Sequence, residues 1–267
     1  MAAFEDALWG YRLTFPNTWI HRTIQGAEGF AAHDQALEPE YTGPQAGHLL
    51  IQAEWNGMQA PVELLWKTHI GKLAGMIGAK QVGSAPWTMA GATGVETDIA
   101  LPKKTESRLW AGILVKEFLI LKFMLVHPLE ERLQIEPLAT DMLKSLSFLD
   151  HAQGLPQTQD GLPIPQGCVA MDPRQALSDL EDSQNWKAYE TNHPLGGVQA
   201  FYYRESPAAG WTIDEFLPFP GNHDLPFARL RLRKENVLVG LGLIPSPAQQ
   251  DEQQPKARIA YTARKQA

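Results

Sequence analysis

The most informative apolar run of the chain, residues 108–126, is rich in β-branched side chains and splits at Lys116-Glu117. A turn at these two residues pairs Ile113 with Ile120 on one face of a hairpin, and two leucines on the other. An antiparallel hairpin with one wet face alternates apolar and polar residues, whereas both faces are apolar here. The pattern therefore predicts a central hairpin that is covered on both sides.

Two helical patterns in the same part of the chain are the natural covers. The first begins at Pro61, because a missing N–H is harmless at the first helical position, and apolar residues then recur at helical spacing. The second spans 129–147 and contains Pro137, which predicts a break or kink near Glu136. A sheet between helical layers is the expected architecture. His69, on the apolar stripe of the first helix, is predicted to be a hydrogen-bonded core or boundary residue.

The pattern beyond residue 168 predicts a smaller sheet with two helices. Asp172 can cap a helix that has Pro173 at its first position, and Pro194 begins a second helix whose buried stripe ends at Glu205. Strands are predicted at 186–191 and 211–216.

A closing hairpin with a turn at Glu235-Asn236 is the most specific structural prediction. This turn places Leu232 opposite Val239 and Arg231 opposite Gly240. A slip of one residue would bring arginines into the core, so the register is strongly specified. The same register puts three candidate binding residues on the outer face of one strand: Arg229, Arg231 and Arg233.

Three interpretations of these arginines are open. Asp214, Glu215 or other acids of a neighbouring strand can neutralise them, they can bind an anionic partner or ligand, or they can contact the acidic first domain. Guanidinium groups suit all three because their forked N–H donors match carboxylates and phosphates.

Composition divides the 267 residues into two domains. Residues 151–167 are rich in Gly, Pro and Gln, which is typical of an extended linker. The predicted organisation is a first domain at 1–150, this linker, a second domain at 168–247 and a polar tail at 248–267.

Charge and termini exclude several classes of protein. The net charge is −7 and the pI about 5.6, which argues against a nucleic-acid partner. The N-terminus lacks the basic start and apolar stretch of a secretory signal. The longest apolar tract, Phe118 to Val126, is interrupted by Lys122 and is far below the roughly 20 residues that span a bilayer. We expect a soluble, cytoplasmic protein without a membrane span.

Catalytic and metal-binding templates are absent from the sequence. It contains no Gly-x-Ser-x-Gly elbow, no His-Glu-x-x-His and no phosphate loop. Cys168 is the single cysteine, which excludes an intramolecular disulfide and every Cys-pair metal motif, and a structural thiol is expected there. No catalytic residue, metal or cofactor is predicted, and we expect a protein that is not an enzyme.

The first domain resembles the PsbP-like family. The stretch GYRLTFPNTW at 10–19 resembles the opening strand of these domains, and MLKSLSFL at 142–149 resembles their closing helix with its short Ser-Phe element. The resemblance covers about residues 4–150 and implies an α/β/α sandwich on an antiparallel sheet. Family members are mostly binding proteins, among them an extrinsic photosystem subunit, a nuclear-transport regulator, bacterial lipoproteins and secretion chaperones. The second domain resembles no characterised family.

The sequence thus predicts an α+β protein in which a PsbP-like sandwich precedes a smaller α+β domain. The expected function is a non-catalytic binding or assembly role through contact with a protein partner of unknown identity. The alternative is a small-ligand or anion binder with a pocket between the domains.

Overall fold

The computed structural model describes residues 1–38, 41, 43–76, 78–101, 106–177, 182–246 and 256–265. The chain divides into two compact units, one of Met1–Glu5 with Tyr11–Phe148 and one of Asp6–Gly10 with Leu149–Ala267. Both large sheets are antiparallel and carry few helices, so the predicted α+β class is confirmed.

The first unit is built on a seven-stranded sheet in the order β3-β4-β5-β9-β8-β7-β6, beside a three-stranded sheet β1-β2-β10. The strands are β1 (Ala2–Asp6), β2 (Tyr11–Phe15), β3 (Ile20–Ile24), β4 (Ala27–Ala31), β5 (His48–Trp55), β6 (Lys80–Met89), β7 (Ala92–Ala100), β8 (Ser107–Lys116), β9 (Leu119–Pro128) and β10 (Ser147–Phe148). The helices are α1 (Val62–Trp66), which continues through a π-helical turn (Lys67–Gly71) into α2 (Lys72–Met76), and α3 (Arg132–Lys144).

The predicted central hairpin is confirmed in its burial but not in its pairing. Ile113 and Ile120 are buried on one face, and leucines on the other face are buried as well. The turn is Glu117-Phe118, so Ile113 lies opposite Lys122 rather than Ile120. Glu117 adopts a positive φ of 53° in this turn. Because the partner moves by two residues, each side chain stays on its predicted face.

Both predicted helical covers are present on the first sheet. Leu65 and Ile70, from α1 and the π-helical turn, pack in one cluster with Ile113 and Ile120. The other cover, α3, buries one side of its surface and is helical throughout, so the chain does not break near Glu136, and the alternative of a kink there stays a prediction. Pro137 leaves the carbonyl of Leu133 without its helical donor, at a residue whose side chain is 88% exposed, where water can replace that donor.

The second unit has one antiparallel sheet in the order β11-β12-β16-β15-β14-β13. Its strands are β11 (Val169–Met171), β12 (Trp186–Pro194), β13 (Thr212–Leu217), β14 (Ala228–Lys234), β15 (Val237–Pro245) and β16 (Lys256–Lys265). Its helices are α4 (Pro173–Ala176), capped by the Asp172 side chain as predicted, and α5 (Leu195–Ala208), which begins after Pro194. The predicted stripe of α5 is buried from Leu195 to Glu205 and covers one face of the sheet.

The closing hairpin has the predicted register. Leu232 pairs with Val239 and Arg231 with Gly240 across β14 and β15. The positive φ of the turn belongs to Glu235, at 52°, and not to its neighbour Asn236.

The predicted polar tail at 248–267 is wrong over residues 256–265. These residues form β16, which lies between β12 and β15 inside the second sheet. Ala257, Ile259 and Tyr261 are buried in the core of the second unit. The basic residues of the segment alternate with these apolar ones, so a strand with one buried face accommodates both. Residues 248–255 and 266–267 lie outside the described residues.

The predicted extended linker at 151–167 is also wrong, because this segment docks on the second unit. Leu162 is fully buried in its core. Asp160 accepts hydrogen bonds from Lys187 Nζ at 2.7 Å and from the Tyr261 hydroxyl at 3.1 Å. These buried and polar contacts hold the segment even though its composition is typical of a linker.

Candidate functional site

The second sheet has one face that α5 does not cover. Strand alternation places Val239 and Leu241 of β15 in the core beneath α5, and Gly240 and Gly242 on the opposite face. The short helix α4 contacts β12 and β16 on this opposite face, where the carbonyl of Gln175 accepts a hydrogen bond from an arginine of β16. On this face the arginines of β14 are exposed, whereas Gly242 and Ala260 are buried.

Small residues form a groove along β15 on this face. In one row across the sheet Arg231 lies beside Gly240, then Thr262, then Trp186. In the next row Arg229 lies beside Gly242 and then Ala260. The groove has a volume of about 370 Å³, and its walls also include Phe227, Ile244, Leu177 and Arg264.

The two glycines leave free space rather than serve a close contact. A Cβ atom at Gly240 would meet only Thr262 Cγ2, at 3.7 Å, and one at Gly242 would lie 3.8 Å from Phe227 Cδ2. These are ordinary van der Waals distances, so an alanine methyl group would fit at either position without displacing backbone. The glycines therefore keep the floor of the groove low.

The structure separates the three predicted arginines. Arg229 binds Glu215 at 2.9 Å, and Arg233 donates two hydrogen bonds to Asp214 at 3.0 and 3.1 Å. For these two arginines the structure contains the first of the three interpretations, neutralisation by acids of the neighbouring strand. The hydrogen bond from Arg233 also lowers the pKa of Asp214. Arg231 lies between them, exposed, and makes no ion pair or hydrogen bond with another described residue.

Two polar residues of the groove were not predicted from the sequence, because both lie in the segment predicted to be a polar tail. Arg264 is exposed beside Leu238 and has no ion pair among the described residues. Thr262 carries a buried Oγ1 that has no hydrogen-bond partner. The signal that could have found them is the alternation of Ala257, Ile259 and Tyr261 in the same segment.

The other candidate groups have structural explanations. Burial raises the pKa of the Cys168 thiol to about 11, which leaves little reactive thiolate at neutral pH. His69 faces Glu54 with 3.5 Å between Nε2 and Oε2, and burial lowers its pKa, consistent with the predicted boundary position. The described residues contain no cluster of three or more His, Cys, Asp or Glu that could hold a metal ion. Nor is any of their helices long and apolar enough to cross a membrane.

No protein-family model and no curated protein sequence matches the chain. Among solved structures, PsbP from the cyanobacterium Synechocystis is 11% identical, with a TM-score of 0.42, over 55% of this chain and 91% of that one. LpqN of Mycobacterium tuberculosis, involved in cell envelope biogenesis, is 13% identical, with a TM-score of 0.40, over 52% and 83%. A Pseudomonas aeruginosa protein of unknown function is 14% identical, with a TM-score of 0.36, over 50% and 88%. Scores this low assign no family, partner or activity, and membership of the PsbP-like family stays a prediction.

Proposed function

We propose that the protein is a non-catalytic binding protein that acts through protein–protein contacts, and that the grooved face of the second sheet is its docking surface. One observation carries the proposal. Arg231 and Arg264 lie on opposite sides of the groove, both exposed, and neither makes an ion pair or a hydrogen bond with another residue that the structure describes.

The charge arrangement favours a partner that supplies acidic groups. Glu215 and Asp214 hold Arg229 and Arg233 in direct ion pairs, so a docking partner meets two guanidiniums, Arg231 and Arg264, whose N–H donors are not bound by a described residue. Covering an arginine without pairing it is costly, because the charge loses its water and gains nothing in return. Carboxylates offset that cost best, since they accept charge-assisted hydrogen bonds from the guanidinium.

The lining of the groove supports binding rather than catalysis. Among the described residues that form it, Thr262 has the one hydroxyl and Glu215 the one carboxylate, and there is no His or Cys. The Glu215 carboxylate is held by Arg229. A nucleophile, a base and a residue that orients the base are therefore not assembled here.

The second candidate function is the binding of a small anion or ligand. The volume of about 370 Å³ supports it, because ligand pockets range from about 300 to 1,000 Å³. This groove lies within the second unit, whereas the pocket predicted from the sequence lies between the domains.

Affinity capture from native extract tests the leading proposal. Wild type, Arg231→Glu and the control Lys67→Glu are used in parallel, and bound proteins are identified by mass spectrometry. Lys67 is exposed in the first unit and has no ion pair among the described residues, so its reversal changes net charge equally. We expect a protein that wild type and Lys67→Glu retain and Arg231→Glu loses. An identical set of bound proteins for all three would contradict the proposed docking surface.

A further inference from the structure

The groove along β15 has a polar end and an apolar end. Over Gly240, Arg231 lies on one side and Thr262 on the other, with the Thr262 methyl group toward the glycine and Arg264 two residues along β16 from Thr262. Over Gly242, the Phe227 ring forms one wall, and Ile244 lies two residues further along β15. The strand rise of about 3.4 Å per residue puts these two positions about 7 Å apart.

The width of the groove selects an extended chain. Its walls stand on β14 and β16, the two neighbours of β15, and adjacent strands lie about 4.8 Å apart, so the walls are separated by about 10 Å at the backbone. Arginine side chains narrow this space further on both sides. A helix with side chains is about 10–12 Å across and does not fit between them.

The polar end has two guanidiniums without a directly bound acceptor. Arg231 and Arg264, on β14 and β16, are both exposed and make no ion pair or hydrogen bond within the described part of the chain, although Arg231 acts on Asp214 at longer range. A carboxylate has two oxygens and can accept charge-assisted hydrogen bonds from both guanidiniums.

We infer that the groove binds an extended acidic segment of a protein partner. One Asp or Glu carboxylate of this segment lies over Gly240, between Arg231 and Arg264, and an apolar side chain two residues away lies over Gly242, against Phe227. In an extended segment residues i and i+2 point the same way and are about 7 Å apart, which matches the spacing of the two glycines. The inference rests on the proposed function and names the chemistry of the partner.

The test is selection of a random seven-residue peptide phage library on the full-length protein. Selected peptides are synthesised with a fluorophore, and their binding is measured by fluorescence polarisation. We expect an acidic residue two positions from a large apolar one, and about tenfold weaker binding when that acid becomes its amide. Gly240→Val should abolish binding because its side chain fills the floor, while the 3.7 Å of space at that Cβ preserves the fold. A thermal melt checks the fold, and Lys67→Glu should bind as wild type does.

The outcomes separate this inference from the proposed function. Peptides that Gly240→Val loses but that bind equally well as amides would overturn the acidic segment and leave the docking surface standing. Peptides that bind Gly240→Val and Arg231→Glu as well as wild type would overturn both. In a third outcome, no peptide is selected and the protein increases the fluorescence of the anion 1-anilinonaphthalene-8-sulfonate. If this increase needs Gly240 and exceeds that of uncharged N-phenyl-1-naphthylamine, the ligand of the groove is a small amphipathic anion and not a protein segment.

Discussion

The two sheets use their central glycines in opposite ways. In the first unit, a Cβ atom at Gly112 would lie 2.8 Å from Trp87 Cζ3 and 3.1 Å from Trp110 Cη2, so aromatic rings of the same unit fill the space. In the second unit, a Cβ at Gly240 would meet only Thr262 Cγ2, at 3.7 Å. Gly112 makes room for aromatic rings of the same unit, whereas Gly240 leaves space that no described residue occupies.

This difference follows from how many faces of each sheet are covered. The first sheet has helices on both faces, and its central hairpin is apolar on both. The second has α5 on one face, and β14 alternates buried apolar residues with exposed arginines. A strand that is apolar throughout indicates two covers, and an alternating one indicates a face open to solvent or to a partner.

Matched substitutions at the two glycines should produce the largest difference between the sheets. Gly112→Asp buries a charge and displaces an indole ring, so we expect a loss of roughly 4 kcal/mol or more in the free energy of unfolding, enough to prevent folding. Gly240→Asp adds a carboxylate beside Arg231 on an open face, and a change within about 1 kcal/mol is expected. Urea unfolding measures both.

Alanine at the same positions separates volume from charge. Gly112→Ala should still cost about 1–3 kcal/mol through overpacking against the two indoles, whereas Gly240→Ala should be neutral or stabilising by up to about 0.5–1 kcal/mol. Equal costs at both positions would mean that the two faces do not differ in packing.

The two hairpins show when a sequence specifies its register. For β14 and β15, one face is polar, so a slip buries arginine, and the register was predicted correctly. For β8 and β9 both faces are apolar, so several pairings bury equal apolar surface and the pattern cannot choose among them. The observed turn places Phe118 in a stack on Trp55, with 4.9 Å between ring centroids, a contact distant in sequence that no local pattern contains.

The candidate site was half predicted for a similar reason. Arg231 beside Gly240 follows from the hairpin register, but Thr262 and Arg264 arrive on a strand from the chain end. The Gln, Pro and charged residues around that strand predicted a polar tail, although apolar residues alternate along the strand itself. The extended linker at 151–167 was predicted wrongly for a similar reason, because a single buried leucine among Gly and Pro gives no periodic signal.

Leu162→Ala tests that docked segment with an intermediate effect. A fully buried leucine replaced by alanine costs about 2–5 kcal/mol, from lost burial and the cavity left behind. We expect this loss in the second unit, as faster hydrogen exchange in β14–β16 measured peptide by peptide. Leu133→Ala is the matched control, since the Leu133 side chain is 88% exposed and its loss should cost less than about 0.5 kcal/mol. A small effect of both substitutions would mean that residues 151–167 are an extended linker, as their composition predicts.

A pH change between 7 and 5 should produce the smallest difference between the sheets. Burial lowers the pKa of His48 in β5, against a hydrogen bond to the Ala46 carbonyl that raises it, and burial also lowers the pKa of His69. A histidine whose pKa is lowered in the folded state binds its proton more readily in the unfolded state. Its contribution to the free energy of unfolding is therefore complete above the unfolded pKa of about 6.5 and is lost as the pH falls below that value. Both residues belong to the first unit. The lowered pKa of Asp214, in the second unit, affects stability only below about pH 4, outside this range.

We therefore expect hydrogen exchange in β5 and β9 to accelerate between pH 7 and 5, after correction for the intrinsic rate, by more than in β14 and β15. His48→Gln should flatten this pH dependence in the first unit, because glutamine keeps a donor for the Ala46 carbonyl but does not titrate. His151→Gln, at an exposed position, is the control and should leave it unchanged. If His48→Gln and His151→Gln respond alike, desolvation of His48 does not set the acid sensitivity of the covered sheet.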